Sequence, residues 1–329
     1  MKKRISLLDE FRRKLQERIP SRPELVKEVA RILNVEKEPV SRRLNGNVSF
    51  SVDETGRLAK AMGISLDSIL TDGDKYKWTR YALEKPWSEG SLSPMAEMVE
   101  QFLDRYEEIG VEGSEFGFLF TTLPMNLMIH YPNLSKFVLF KWGYYYIGYD
   151  EFNDYDGFET PERFVRIRER FAERRFDGAK IINIWDEALV WILCREIQSF
   201  HAMHLIGREH VGQLKDELHA MLTGLETFIR KEADDPQSGL DISFYISNVH
   251  IGVNSWYHIS DKACMSHLFS NFARTSISYN RESSLNMRDW IGSLRKISSL
   301  ISGTGHRERR MFFESQHKIV DLLLSPANL

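Results

Sequence analysis

Apolar residues recur at intervals of three and four along the first 70 residues, a spacing that is typical of short amphipathic helices. The pattern predicts five of them, at 6–18, 22–32, 37–44, 52–62 and 66–70. The sequences Ser21–Glu24 and Ser51–Glu54 each fit a capping box, in which the serine and glutamate side chains satisfy each other's backbone N–H groups. Gly63 is expected to end the fourth helix.

Helical spacing continues beyond residue 95, with one interruption. Further helices are predicted at 95–109, 134–146, 161–175, 185–206, 209–231, 284–301 and 307–324. Between 240 and 279 the period changes to two, which predicts a strand at 242–246, a second from Val249 to Val253 and a third after the turn at 261–262.

Together these elements predict a mainly α fold, in which a five-helix N-terminal domain precedes a larger, helix-rich α+β domain with a small antiparallel sheet. The first domain is expected to span 1–70 and the second 95–329. Residues 71–94 lose the helical spacing and gain glycine, proline and charge, so they form the expected linker.

Composition narrows the class of protein. The chain has two cysteines, Cys194 and Cys264, which do not suggest a disulfide framework. No apolar run approaches the roughly 20 residues that cross a bilayer, and the opening MKKR leads into a charged segment, so a cytoplasmic protein without a membrane anchor is expected. Residues 1–70 carry 15 Lys and Arg against 10 Asp and Glu, although the whole chain has a net charge of -3. Attraction to phosphate is therefore expected in the N-terminal part.

Residues 6–70 also contain apolar and small residues at positions that are typical of a known DNA-binding motif. Leu25, Ala30 and Val35 surround the first turn, Val40 and Asn45-Gly46 end the third helix, and Leu58-Ala59, Met62-Gly63 and Ser65-Leu66-Asp67 close the segment. In these residues the segment, about a fifth of the chain, resembles the Cro/repressor-type helix-turn-helix family. The resemblance implies that the helix at 22–32 crosses the DNA backbone and that the helix at 37–44 enters the major groove.

The resemblance also implies a set of DNA-binding residues. Those expected to face bases are Lys37, Glu38, Ser41, Arg42 and Arg43. Those expected to contact phosphates are the side chain of Arg22 and the backbone N–H groups of Asn45, Gly46 and Asn47. Pro39 complicates this assignment, because the residue before a proline disfavours helical backbone. A helix that begins only at Pro39 is therefore an alternative to the span 37–44, and it would shift base reading toward Ser41, Arg42 and Arg43.

The function implied by this resemblance is a bacterial transcriptional regulator that binds double-stranded DNA sequence-specifically, with a C-terminal domain that dimerises or senses a small-molecule or protein effector. An apolar stripe from Val211 to Phe228 fits a homodimer seam and equally fits packing inside the domain. The aromatic cluster at 142–146 fits either a ligand pocket or a core. The alternative function is a protein-interaction scaffold whose N-terminal bundle does not read DNA.

Sequence signatures of catalysis and of metal or cofactor binding are missing. The chain has no G-x-x-x-x-G-K-[ST], G-x-S-x-G, H-E-x-x-H or G-x-G-x-x-G sequence. Cys194, His201 and His204 fall on one predicted helix, but no second pair with ligand spacing lies nearby. We therefore expect neither an enzyme nor a bound metal or cofactor.

Overall fold

The computed structural model describes residues 6–64, 66, 69, 82–83, 91–148, 150–173, 178–232, 241–271 and 274–325. The chain divides into two compact units, Met1–Thr79 and Arg80–Leu329. The boundaries expected at 70 and 95 stay predictions, because most residues between them lie outside these described ranges.

Four helices form the described part of the first unit. They are α1 (Leu7–Arg18), α2 (Arg22–Leu33), α3 (Lys37–Leu44) and α4 (Val52–Met62). Their apolar faces enclose a core in which Phe11, Leu15, Leu25, Val29, Val40 and Leu58 are fully buried. The structure describes four helices in this unit and not the five that were predicted. The expected fifth helix, at 66–70, lies outside the described residues except for Leu66 and Ile69.

Local capping chemistry fixes both ends of α4. The box at Ser51 and Glu54 is confirmed, and Gly63 ends α4 with a left-handed φ of 62°. The box predicted at Ser21 is wrong, because its side chain makes no capping hydrogen bond. The predicted span of α3, 37–44, is confirmed, and the alternative start at Pro39 is wrong. A proline is tolerated there because the first four N–H groups of a helix have no intrahelical acceptor.

Eight strands of the second unit form a single sheet among the described residues. They are β1 (Ala82–Leu83), β2 (Glu115–Phe120), β3 (Lys180–Trp185), β4 (Asp241–Ile246), β5 (Ser255–Ile259), β6 (Cys264–Asn271), β7 (Arg274–Ser278) and β8 (Ser299–Leu300). Their order across the sheet is β1-β7-β6-β5-β2-β3-β4-β8. The strands β2, β3 and β4 are parallel, whereas the other pairings are antiparallel. The strand β2 thus joins a parallel half to an antiparallel half.

The helices of this unit flank the sheet. They are α5 (Ser93–Ile109), α6 (Met125–Met128), α7 (Pro132–Tyr146), α8 (Glu162–Ala172), α9 (Trp191–Ala202), α10 (Arg208–Glu232), α11 (Arg281–Lys296) and α12 (His306–Asp321), which is followed by a 3-10 turn at Leu322–Leu324. One sheet face packs Trp185 and Phe244 against residues of α7, α9, α10 and α12. The other packs Leu119 and Tyr257 against α11. Helices therefore cover both faces of the sheet.

These findings overturn the predicted fold class. The sheet is mixed and spans the unit, whereas a small antiparallel meander among helices was expected. The strands β2 and β3 consist mostly of buried residues and show no alternation of apolar and polar positions. This pattern is typical of parallel strands that are covered on both faces, and it differs from the alternation by which strands were predicted. The segment from Val249 to Val253 is not a strand; it belongs to the loop that joins β4 to β5.

The apolar stripe of α10 packs inside its own unit. Val211, Leu214, Leu218 and Met221 are at most 1% exposed and belong to the largest core cluster. The sequence allowed either a homodimer seam or packing inside the domain, and the burial of these four residues is explained by packing inside the domain. Among the described residues, no helix combines the length and the apolar character needed to cross a membrane.

Candidate nucleic-acid interface

The helices α2 and α3 and the turn between them form the candidate interface. Asn34 ends α2 in the left-handed conformation, with φ at 57°, and reverses the chain over three residues. Val40 and Leu44 then anchor α3 in the core of the unit. Because these two positions fix one face of α3 inward, the opposite face is presented to solvent.

The exposed face of α3 contains most of the expected base-reading residues. Lys37, Glu38 and Arg42 are exposed, and Ser41 is half-buried. The Arg42 guanidinium makes no hydrogen bond or ion pair with any described residue, whereas the Arg42 carbonyl accepts from the N–H groups of Asn47 and Val48. The backbone of Arg42 is therefore fixed while its side-chain donors remain available.

Arg43 is placed differently. Its Nη2 and Nε atoms bind the two carboxylate oxygens of Glu54 at 2.8 and 3.1 Å, and its Nη1 donates to the Pro39 carbonyl at 3.2 Å. The two charged side chains are only 20% and 18% exposed. Arg43 therefore links α3 to α4, and its donors are occupied within the protein.

Glu54 both binds Arg43 of α3 and completes the capping box at the beginning of α4. Its carboxylate accepts from Arg43 and from the N–H group of Ser51, the residue that caps α4. Burial tends to raise the pKa of Glu54, but the hydrogen bond from Ser51 and the Arg43 guanidinium outweigh it, so the pKa lies below its ordinary value. The carboxylate thus stays ionised at neutral pH, as both interactions require.

The expected phosphate-binding residues meet at the end of α3. Arg22, the first residue of α2, donates from Nη2 to the side-chain oxygen of Asn45 at 2.5 Å. The backbone N–H groups of Asn45, Gly46 and Asn47, which were expected to contact phosphate, all donate to carbonyls of α3. These donors are therefore occupied, whereas the exposed side chain of Asn47 makes no hydrogen bond to a described residue. The structure therefore brings Arg22 and Asn45 together, although they are 23 residues apart in the chain.

Arg12 is a neighbour of this turn that sequence reasoning missed. Its Nε atom donates to the Arg43 carbonyl at 3.0 Å, and Asp9 pairs with its Nη1 atom at 2.5 Å. A Cβ atom built on Gly46 would lie 3.4 Å from the same guanidinium. Arg12 therefore supports the turn after α3 from the α1 side, and nothing in its local sequence distinguishes it from other arginines of α1.

The carboxyl ends of the parallel strands are a usual place for ligands in α/β proteins, but here their polar groups hold a loop. Asp186, which follows β3, accepts from the N–H groups of Ala188 and Ile251 at 2.9 and 3.0 Å. Asn254 accepts from the N–H and hydroxyl groups of Thr121 after β2. These bonds fasten the β4–β5 loop across the strand ends.

Cys194, His201 and His204 do not form a shared site. The Cys194 side chain is buried, and burial raises the pKa of its thiol to about 12. His201 contacts the carbonyl of Ile206 through Nδ1. No group of three or more residues suited to hold a metal ion occurs in the part of the chain that the structure describes.

Comparisons with known proteins give no assignment. A scan against protein-family models finds no match, and searches of curated proteins and of solved structures find no similar protein. Function must therefore be inferred from the geometry of the described residues.

Proposed function

We propose that this chain is a sequence-specific DNA-binding transcriptional regulator that reads the major groove with α3. The proposal rests mainly on the exposure of the Arg42 side chain and on its lack of a partner among the described residues. Its guanidinium is exposed and unpaired among the described residues, on a helix whose other face is fixed by Val40 and Leu44. An arginine presented in this way suits bidentate binding to O6 and N7 of guanine.

Neighbouring residues on α3 support the same role. Lys37 and Glu38 precede Arg42 by five and four residues, and all three side chains are exposed. A carboxylate accepts from N4 of cytosine, and a lysine donates to guanine or to phosphate. The solvent face of α3 therefore offers both donors and an acceptor to base edges.

Phosphate binding has its own candidates in this unit. Arg22 and Asn45 form a hydrogen-bonded pair where α2 begins and α3 ends. The excess of basic residues within positions 1–70 favours association with a polyanion, whereas the rest of the chain is acidic. We assign Arg22 to phosphate contact and Arg42 to base reading.

Salt-titrated selection from a genomic fragment library tests the proposal with the full chain. Arg42→Ala is expected to weaken binding to the selected fragment by about 5- to 150-fold, which corresponds to about 1–3 kcal/mol, and to relax the preference at one base pair. Lys60→Ala is the matched control, because it removes an exposed positive charge from α4 outside the α2–α3 surface. It should leave the selected sequence unchanged.

Arg22→Ala is expected to weaken binding to all fragments alike and to reduce the slope of log K against log salt by about 1. Failure of the chain to retain any fragment at low salt would refute the proposed function. Equal effects of Arg42→Ala and Lys60→Ala would refute the assignment of base reading to α3.

A further inference from the structure

Two histidines from different helices of the second unit face each other. His219 of α10 and His317 of α12 approach with their Nδ1 atoms 2.7 Å apart. Their ring planes differ by 12°, and their ring centroids are 5.0 Å apart. This separation is close to the Nδ1–Nδ1 distance plus one ring radius at each end, so the rings lie end to end. An N–H group of one ring is thus directed at the nitrogen of the other, in the nearly linear arrangement that hydrogen bonds prefer.

Only one proton fits between these two nitrogens. A neutral imidazole has one donor nitrogen and one acceptor nitrogen, whereas both nitrogens of the charged ring are donors. The pair keeps its hydrogen bond when it is neutral and when it carries one positive charge in total. With a charge on both rings, two N–H groups would point at each other, and the rings would have to separate.

A metal ion between the rings does not fit the same geometry. An imidazole nitrogen lies about 2.0–2.1 Å from a bound zinc ion, so two nitrogens that point at each other along one line would be about 4 Å apart. No cluster of three metal-binding side chains occurs within the described ranges. The species that His219 and His317 share is therefore a proton.

The charged groups around the pair come from its own two helices. Oδ1 of Asp321 lies 3.3 Å from Nε2 of His219 and 2.9 Å from Nζ of Lys215. Glu226 of α10 is a second carboxylate whose charge acts on His317. No charged side chain of the other elements packed on α10 and α12, namely α7, α9, β8 and the 3-10 turn, acts on His317 in the described part of the chain. Because Asp321 favours a proton on Nε2 of His219, the neutral His219 ring accepts at Nδ1 and His317 donates.

The environment of His317 opposes a charge on this ring. Burial and the neighbouring His219 lower the pKa of His317, and the carboxylates of Glu226 and Asp321 offset this only in part. A histidine whose pKa is lowered in the fold contributes its full stabilisation above the pKa of the unfolded chain, about 6.5. That contribution is lost as pH falls below this value.

The residue beside His317 holds a loop at the carboxyl end of β3. Gln316 is fully buried, and its Oε1 atom accepts from the N–H group of Val190 at 3.2 Å. Its Nε2 atom donates to the Glu187 carbonyl at 2.8 Å. Loops at this end of parallel strands are usual positions for ligands in α/β proteins. A movement of α12 at His317 therefore reaches the loop that follows β3.

We infer that the His219–His317 pair is an acid-sensitive latch, which holds α12 on α10 while it shares one proton and releases α12 and the segment 187–190 when both rings are charged. Two charged rings repel each other, and neither offers the acceptor that the other needs. Because release takes up one proton more than the closed pair holds, its equilibrium changes by up to about tenfold per pH unit.

Hydrogen exchange of the full chain without DNA, measured by mass spectrometry at about pH 6.5 and 5.5 and corrected for intrinsic exchange rates, tests the inference. Peptides that cover 187–190 and 311–325 should lose protection by up to about tenfold. His317→Gln should remove this dependence, because its amide still bonds to His219 but does not titrate. His204→Asn is the matched control, since it removes an exposed histidine elsewhere in the unit and should leave the dependence unchanged.

Nitrogen NMR of the histidine rings at pH 7 gives a test that does not depend on how a variant folds. His317 should carry its proton on Nδ1 and His219 on Nε2, as one shared proton and the contact with Asp321 require. Protons on Nε2 of both rings would overturn the inference. An equal pH dependence of exchange in the unaltered chain and in His317→Gln would overturn it as well. Neither result depends on the proposed DNA binding.

Discussion

Replacing Arg43 with alanine is expected to loosen the contact between α3 and α4 without removing a base-reading group. The change deletes the paired hydrogen bonds to Glu54 and the bond to the Pro39 carbonyl. It also leaves the Glu54 carboxylate with the Ser51 cap as its remaining partner. The consequence is a loss of stability in the first unit.

The size of this loss follows from burial. A hydrogen bond that involves a charged group contributes about 1.5–3 kcal/mol when buried, whereas an exposed ion pair contributes about 0.2–1 kcal/mol. Arg43 and Glu54, at 20% and 18% exposed, lie between these limits. We therefore expect Arg43→Ala to cost about 1–2 kcal/mol, a factor of roughly 5–30 in the opening equilibrium.

Hydrogen exchange measured by mass spectrometry on the full chain resolves this loss. Peptides that cover α3 and α4 should exchange roughly 5- to 30-fold faster in Arg43→Ala, whereas peptides from β2 to β4 should not change. Arg42→Ala is the matched control, since it removes the same charge from a side chain without a described partner. A double-mutant cycle with Glu54→Gln should show coupling between Arg43 and Glu54.

The contribution of the pair also depends on pH. Because the pKa of Glu54 is lowered in the folded state, its stabilisation is complete above the pKa of the unfolded chain and is lost as pH falls through the folded value. The reasoning fails if Arg43→Ala leaves exchange in α3 and α4 unchanged but weakens DNA binding as much as Arg42→Ala does. In that case Arg43 reads bases and its bond to Glu54 is incidental.

Two further predictions concern the core of the second unit. Gly117→Ala places a Cβ atom into the buried ring of Tyr257 and should lower the free energy of unfolding, measured by urea denaturation, by about 1–3 kcal/mol. Gly252→Ala is the control, because the space around its Cβ position is open and its unfolding midpoint should not change. Equal midpoints for the two variants would contradict this packing. Burial lowers the pKa of His258 to about 4 and that of His267 to about 3, so stability should fall as pH drops from about 6.5 toward 4, by up to about 1.4 kcal/mol per histidine and pH unit. His267→Phe should halve this dependence, and an unchanged dependence would show that His267 already ionises in the fold.

Helix ends in the first unit could be predicted because their causes are local. Glu54 lies three residues after Ser51, and Gly63 directly follows α4, so short sequences contain the whole signal. The span of α3 could also be predicted from its apolar spacing, because the restriction before Pro39 does not outweigh the freedom of first-turn N–H groups. The pairing of Arg43 with Glu54 depends on how α3 packs on α4 and has no local signal.

The mixed sheet could not be predicted for a related reason. The strands β2 and β3 pair in parallel across about 65 residues, and their mostly buried sequences show no alternation.

The position of β2 at the junction of the two halves of the sheet has a consequence for synthesis of the chain. Its one edge pairs with β3, but its other edge pairs with β5, where Glu115 lies opposite Ile259. Ribosomes add about 5–20 residues per second, so the second edge waits roughly 7–30 seconds for its partner. During that interval the growing chain exposes an apolar strand edge, and correct assembly competes with pairing to other nascent chains.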